Sequence, residues 1–295
     1  NPAGVGTGGD VTTYDGRSGK HFRTATFDGN LTLHGTPTAY TGTGAHSDVT
    51  IGVEHQLWTN AANDYSIFNN TGKIKLASGN NLVGILIDIE RNYPEENGGI
   101  HKTVNNGLIE IENAENSIGI DYGEYSDFVF KSELTIGDII VGGKKNYGLR
   151  MANIYTSNNA FFDRGVTIKS GGADKKILVQ GTENVGVSIA KFLSAAALAP
   201  ATKDTNPIAN VSDLNIEVAG QKNIGFLRHK DYSANNKNDM ILDKNTMGTF
   251  TFGNGAKDST LIRTDKYGIQ VKKDITATGK DNAGKDFTGS GNTVL

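Results

Sequence analysis

The sequence predicts an all-β protein, a right-handed parallel β-helix with loop insertions, and two patterns predict it. The first is a short motif, Asn–apolar–Gly–apolar, that returns along the chain. The second is an alternating apolar strand before each copy. The composition agrees, because 38 of the 295 residues are Gly and only 5 are Pro, which indicates many tight turns. A unit of two short strands cannot bury its apolar face alone, so its copies must stack on one another.

Each copy of the motif is centred on a glycine. The copies read NLVGI, NSIGI, NYGL, NVGV, NIGF and KYGI, and their glycines are Gly84, Gly119, Gly148, Gly186, Gly225 and Gly268. These glycines are 29 to 43 residues apart, a spacing that falls within the range of repeat architectures. We interpret NDYSI as a degenerate copy with Ser66 in place of the glycine.

Each motif position has a predicted role. The glycine allows a sharp corner or a close backbone approach, and the Asn tolerates a left-handed turn and stacks as a hydrogen-bonded ladder. The residues after the glycines should form one inward apolar column: Ile85, Ile120, Leu149, Val187, Phe226 and Ile269. The residues one position further should face outward: Leu86, Asp121, Arg150, Ser188, Leu227 and Gln270. Asp121 and Arg150 would then form an ion pair between adjacent coils.

The strand before each copy shows the two-residue alternation of a half-buried β-strand. These strands read KIKL, LIEIE, LTI, VTI, LNIEV and FTF, with LTL and VTIGV upstream. We expect the β-helix to cover residues 31–295 and residues 1–30 to be an irregular N-terminal segment. A short helix is predicted only at the Ala-rich start of the segment 190–207.

Composition and motifs exclude several functions. The net charge is −3 with no basic stripe, so we expect no nucleic-acid partner. There is no Cys, which excludes disulfides and thiolate metal sites. The six histidines show no HExxH spacing, and no GxSxG serine motif occurs. The sequence therefore predicts a protein that is not an enzyme and needs no cofactor or metal. Both ends of the chain read as if cut from a longer one.

Four long loops are the predicted binding regions, at 91–102, 152–165, 190–207 and 228–245. They combine aromatic and charged residues, as recognition of a protein or a glycan requires. The candidate ligand-binding residues in them are Tyr93, Glu95, Glu96, His101, Tyr155, Phe161 and Tyr232. Trp58 is expected to cap the N-terminal end of the core, although an exposed Trp58 would indicate a sugar platform.

Two other functions stay open at this point. A polysaccharide-degrading β-helix would need paired carboxylates about 5 to 10 Å apart. The acids that could share one groove are Asp88, Glu90, Asp121, Glu124 and Asp127. The same acids could bind calcium, although the chain has no GGxGxD array. A purely structural stalk is the third hypothesis.

The recurring Asn–apolar–Gly–apolar strands, in a chain rich in Asn, Gly, Lys and Ile, resemble the passenger regions of type V autotransporters over residues 63–271. The resemblance is greatest to the large fusobacterial outer-membrane adhesins of the RadD kind. It implies a β-helical stalk, anchored at the outer membrane and exposed outside the cell, that attaches to receptors on other bacteria or host cells. The C-terminal β-barrel translocator through which such proteins meet the membrane is not in this sequence. We expect a monomer that binds protein or glycan receptors.

Overall fold

The computed structural model describes residues 22–35, 49–57, 65–89, 100–124, 131–151, 166–189, 209–228, 240–243, 247–265, 269–272 and 293. Within these residues the regular elements are all strands. In chain order they are β1 (Phe22–Phe27), β2 (Asn30–His34), β3 (Thr50–Leu57), β4 (Tyr65–Asn70), β5 (Lys73–Asn80), β6 (Leu82–Ile89), β7 (Ile100–Glu115), β8 (Ile118–Glu124), β9 (Lys131–Val141), β10 (Tyr147–Met151), β11 (Val166–Ser170), β12 (Ile177–Val179), β13 (Val185–Ile189), β14 (Ala209–Ser212), β15 (Leu214–Val218), β16 (Ile224–Arg228), β17 (Met240–Asp243), β18 (Met247–Phe252), β19 (Thr260–Thr264) and β20 (Ile269–Lys272).

The described strands form a parallel β-helix, which confirms the predicted fold class. Sheet A has 11 strands along the path β1-β4-β7-β9-β12-β15-β18, with β2, β5, β11 and β14 beside it. Sheet B has 7 strands in the order β3-β6-β8-β10-β13-β16-β19. A coil crosses sheet A, turns a corner, and runs through sheet B before the next coil begins. A separate pair, β17 and β20, forms a sheet of 2 strands.

The core lies between the two sheets, in columns of stacked apolar side chains. The sheet B column contains Val53, Ile85, Ile120, Leu149, Val187, Phe226 and Ile262 in register. Facing it, one sheet A column contains Ile74, Ile109, Ile139, Ile177, Ile216 and Phe250. Apart from Val53, which is partly buried, these residues are buried. Each fully buried Ile, Leu, Val or Phe contributes about 1.5–3 kcal/mol of transfer free energy, so the columns are the main source of stability.

The predicted column is right from Ile85 to Phe226 and wrong at its last member, Ile269. After Phe226 the next member is Ile262, and Leu261 stands at the glycine position. Ile269 instead lies in β20 and pairs with Met240. The NDYSI copy is also wrong, because Ser66 belongs to β4 in sheet A. A four-residue motif carries no information on which strand it pairs with. A chance match to the motif can therefore be mistaken for a coil of the β-helix.

Two of the predicted strands lie in another column of sheet A. The LTI strand belongs to the first half of β9, where Leu134 pairs with Ile168 of the VTI strand. The second half of β9 contributes Ile139 to the column of Ile109 and Ile177. β7 and β9 are long, 16 and 11 residues, and cross both halves of sheet A, whereas the later coils use two short strands.

The N-terminal boundary remains a prediction, because residues 1–21 lie outside the described residues. β1 falls within the segment that we expected to be irregular. It pairs with β4 in regular parallel register from Phe22 to Phe27. The helix predicted in 190–207 also lies outside the described residues.

The outward position of sheet B is more buried than predicted. Leu86 is 1% exposed, Ser188 1% and Leu227 6%. Leu86 packs with Val83 and Ile118 in a second apolar cluster. The expectation of solvent-facing side chains was wrong here because neighbouring apolar columns on this face pack against each other. The side chain of Gln270 lies outside the described part.

Candidate functional site

A tight corner joins sheet A to sheet B in successive coils, and its backbone is left-handed at two points. In one coil φ is +64° at Gly143 and +57° at Lys145. The next coil repeats this at Gly181 and Glu183, with φ of +76° and +60°. A side chain at Gly143 would also collide with the preceding coil, because its Cβ would lie 2.1 Å from the Ala114 carbonyl oxygen. Glycine is therefore required at the first of these positions.

The residue after each left-handed turn forms a ladder that runs along the corner. Its side-chain oxygen accepts a hydrogen bond from the backbone N–H of the equivalent residue one coil earlier. We call this row, with its turns, the ladder corner. The bonds are Leu82 N–H to Ser117 (3.0 Å), Ser117 to Asn146 (2.7 Å), Asn146 to Asn184 (2.8 Å), Asn184 to Asn223 (2.8 Å) and Asn223 to Ser259 (3.1 Å).

The amide nitrogens of the ladder asparagines tie down their own turns. Nδ2 of Asn146 donates to the Gly142 carbonyl at 2.8 Å, and Nδ2 of Asn184 donates to the Gln180 carbonyl at 2.5 Å. Both asparagines are 0% exposed. Each one therefore accepts a hydrogen bond from a buried N–H of the preceding coil and donates one to a carbonyl of its own turn.

The predicted ladder is confirmed, but the motif mixes two asparagine positions. An Asn two residues before the glycine, such as Asn146, belongs to the ladder. An Asn three residues before the glycine, such as Asn81 or Asn116, is the left-handed residue, with φ of +59° and +50°. The number of positions between the Asn and the Gly, two or three, distinguishes the two roles in the sequence.

The motif glycines themselves are needed for close approach rather than for positive φ. A Cβ on Gly119 would lie 2.7 Å from the Gly148 carbonyl oxygen, and one on Gly148 would lie 2.6 Å from that of Gly186. Real Cβ atoms do not approach a backbone oxygen so closely. Of the two predicted roles for this glycine, the close approach is the one that the structure bears out.

The long connections leave the coil at the other edge. β6 ends at Ile89 and β7 begins at Ile100, and β10 ends at Met151 before β11 begins at Val166. Likewise β13 ends at Ile189 and β14 begins at Ala209. Each connection runs from the carboxyl end of a sheet B strand to the amino end of a sheet A strand. We call this side the loop edge. Tyr93, Glu95, Glu96, Tyr155, Phe161, Tyr232 and Trp58 lie outside the described residues.

His101 is the one binding candidate within the described part of the chain, and it does not lie in a loop. The structure places it in β7, with 0% of its surface exposed. Its ring stacks on that of His55 with centroids 4.1 Å apart and planes 24° apart. His55, Ser66 and Thr103 complete a buried polar cluster that the sequence interpretation missed. The signal was available, since His55 follows the inward Val53 by two residues.

Of the acids proposed for the enzyme alternative, Asp121 alone has a described side chain. Asp121 accepts two hydrogen bonds from Arg150, from Nε at 3.1 Å and from Nη2 at 2.7 Å, which confirms the predicted ion pair. The side chains of Asp88, Glu90, Glu124 and Asp127 lie outside the described part. No group of three or more His, Asp or Glu side chains in the described residues could hold a metal ion.

Sheet A presents rows of paired charges on its outer face. Lys73 and Glu110 are 2.6 Å apart, and Lys75 and Glu112 are 2.9 Å apart, each pair joining adjacent coils. The hydrogen bond that Lys75 donates to Glu112 raises the pKa of Lys75. Because such exposed pairs contribute at most about 1 kcal/mol each, they set register and solubility more than stability. In each of these pairs a positive charge lies next to a negative one.

Comparisons with protein families, with curated proteins and with solved structures find no match for this chain. Along the described ranges, no helix has the length and apolar character needed to cross a membrane.

Proposed function

We propose that this chain is a stalk segment of a bacterial cell-surface adhesin, which carries binding loops along one edge of a β-helix. The loops would attach to protein or glycan receptors on other bacteria or on host cells. The proposal depends on a difference between the two edges of each coil. The ladder corner is locked by one hydrogen bond per coil, while the long connections between the sheets leave from the loop edge.

The stacking supports the stalk part of the proposal. Parallel strands lie about 4.8 Å apart, so the strands of sheet B span about 29 Å along the axis. Each coil contacts its neighbours through backbone hydrogen bonds, the apolar columns and the ladder. Bending such a stack would break these contacts on one side. We therefore expect the stack to be stiff along its axis.

The sequence of the loop edge supports the binding part. The connections there contain aromatic and acidic residues, including Tyr93, Glu95, Tyr155, Phe161 and Tyr232. Aromatic side chains supply large contact areas for a sugar ring or a protein surface, and a rigid scaffold reduces the entropy lost on binding. His101 is left out of this set because it is buried.

Adhesion tests the proposal directly. Beads coated with the 295-residue chain are mixed with intact bacterial or host cells, and the bound fraction is counted for the parent and for four variants, each with one long loop shortened. The matched control exchanges the partners of one exposed pair, Lys75→Glu with Glu112→Lys, on the outer face of sheet A. We expect the parent and the control to bind, and at least one loop variant that keeps its far-UV circular dichroism spectrum to lose binding.

Two outcomes would remove the adhesin proposal. If all four loop variants bind like the parent, recognition does not lie in these loops. If the parent binds none of the cells, a purely structural stalk is the better description.

Turnover of acidic polysaccharides by the parent, abolished by Asp121→Asn, would favour the enzyme. The occupation of both Asp121 oxygens by Arg150 speaks against that role.

A further inference from the structure

The interior of the first coils contains two buried histidines. His55 of β3 is 7% exposed and His101 of β7 is 0% exposed. Their rings stack with centroids 4.1 Å apart. Both ring nitrogens of His55 are hydrogen-bonded, Nδ1 to Thr103 Oγ1 and Nε2 to Ser66 Oγ, each at 2.9 Å. The pair therefore lies within the hydrophobic coil, held by two hydroxyl groups from β4 and β7.

The described side chains that face the pair carry no compensating negative charge. Phe68 of β4 lies against His55, with ring centroids 5.8 Å apart. On the sheet B side the column of His55 continues with Ile87 of β6 and Tyr122 of β8. Tyr122 brings a phenol rather than a carboxylate to this column.

The charged residues of the same strands lie elsewhere. Glu54 of β3 is on the exposed outer side. Lys102 of β7 pairs with Glu133 of β9 at 3.4 Å, both partly exposed.

Protonation of this pair is therefore unfavourable in the folded chain. Burial lowers the pKa of His55 well below 6.5, and the neighbouring His101 lowers it further. Burial lowers the pKa of His101 to about 4, against a weaker opposing effect of a hydrogen bond to the His55 backbone. An unfolded histidine titrates near 6.5, so below that pH the unfolded segment binds more protons than the folded one. Stability is lost as the pH falls from about 6.5 towards about 4.

The loss should be confined to the first coils. The hydrogen bonds of the ladder begin at Leu82 and continue to Ser259. β3 and β4 precede this row, and the histidine pair joins β3, which contains His55, to the first part of β7, which contains His101. Later coils have Met151 and Ile189 in the column that His55 begins. They contain no buried histidine among their described residues.

We propose that His55 and His101 form an acid-sensitive switch in the stalk. In acidic surroundings protons enter the pair, and β3, β4 and the first part of β7 separate from the coil. The coils joined by the ladder stay folded. The protein would thus change the surface of its first coils and expose a new edge of sheet B where β3 had paired. The remaining coils would stay folded.

Hydrogen exchange of the full chain tests the switch. Amide protection is measured by mass spectrometry at pH 7.5 and 4.5 and corrected for intrinsic exchange rates. At pH 4.5 most carboxylates remain ionised, so the charge rows of sheet A are preserved. Uptake of a proton by His101 alone should raise the opening constant of residues 50–57, 65–70 and 100–105 about 70-fold. Residues 185–189 and 224–228 should change less than about twofold.

A matched pair of variants separates the histidine effect from general acid sensitivity. His101→Gln removes the buried group, and His34→Gln removes an exposed histidine that bonds to Ser78 at 2.9 Å. We expect the acid response of the first coils to shrink at least about fivefold in His101→Gln and to persist in His34→Gln. An unchanged response in His101→Gln, or equal loss of protection along the whole wild-type chain, would overturn the proposal. If His101→Gln does not fold at pH 7.5, the wild-type pattern decides alone.

Discussion

Replacement of a central ladder residue, Asn184→Ala, should destabilise the protein strongly. Asn184 Oδ1 accepts the Asn146 N–H at 2.8 Å, and Nδ2 donates to the Gln180 carbonyl at 2.5 Å. Alanine leaves the buried Asn146 N–H without this partner and also removes the bond to the Gln180 carbonyl, which belongs to an exposed residue. An orphaned buried group costs about 1–3 kcal/mol and an ordinary hydrogen bond contributes about 0.5–1.5 kcal/mol, so the expected loss in the free energy of unfolding is about 1.5–4.5 kcal/mol.

Serine at the same position should be milder, and the structure shows why. Ser117 and Ser259 already occupy the ends of the ladder. Ser117 Oγ accepts the Leu82 N–H at 3.0 Å and donates to the Glu115 carbonyl at 2.8 Å, two residues back. A serine at 184 can therefore keep the bond between coils and lose only the longer reach to Gln180. We expect Asn184→Ser to lose about half as much stability as Asn184→Ala.

The assay is urea denaturation followed by far-UV circular dichroism, with hydrogen exchange to identify which coils open. Because repeat proteins unfold in segments, the midpoint is compared together with the exchange pattern. The control is Asn113→Ala, an exposed asparagine of β7, which should stay within about 0.5 kcal/mol of the parent. If Asn184→Ala also stays within about 1 kcal/mol, the ladder does not hold the coils together and the reasoning is wrong.

Four further changes test other parts of the structure. Gly148→Ala places a Cβ 2.6 Å from the Gly186 carbonyl oxygen, so it should lower the urea midpoint by the equivalent of about 1–3 kcal/mol. Leu149→Ala empties part of the sheet B column and should lose about 2–5 kcal/mol in the same assay. Arg150→Met should lose about 1–3 kcal/mol, because the buried Asp121 carboxylate loses both hydrogen bonds from the guanidinium, and a loss below about 0.5 kcal/mol would contradict this. The free energy of unfolding of the parent, measured by thermal denaturation, should fall by up to about 3 kcal/mol between pH 6.5 and pH 4 because of His101. The variant His101→Gln should make this stability depend less on pH.

The inward columns could be predicted because two-residue alternation directly reports which face is buried. Ile109 and Ile216 are predicted correctly for this reason, and Leu149 is predicted correctly from its position after the motif glycine. The register between coils could not be predicted from a short motif, and Ile269 shows the consequence. The motif also expects glycine or the small Ser66 at its central position, whereas Leu261 occupies that position in β19. Pairing is decided by the whole coil, including insertions whose length the motif does not contain.

The buried histidines were missed because polar residues inside a coil do not resemble a strand core. In β7 the inward positions begin His101, Thr103, Asn105, so the alternation is present but not apolar. The segment was therefore assigned to a loop. Asn70 supports the interior orientation of this row, since its Nδ2 donates to Asn105 Oδ1 at 2.6 Å. A search for alternating short polar residues that continue an apolar column would have identified it.

The ladder also determines where this fold can vary. In the described coils its turn varies only slightly in length, since five positions separate Val218 from Asn223 and seven separate the paired Phe252 from Ser259. The two additional residues leave the bond from the Asn223 N–H to Ser259 in place, whereas ten residues separate β6 from β7 at the loop edge. At the loop edge no such bond connects successive coils among the described residues, so a connection there can lengthen without disturbing the columns. Recognition would then be confined to that edge for a physical reason. A loop exchanged there between related chains should transfer binding while leaving the urea midpoint unchanged.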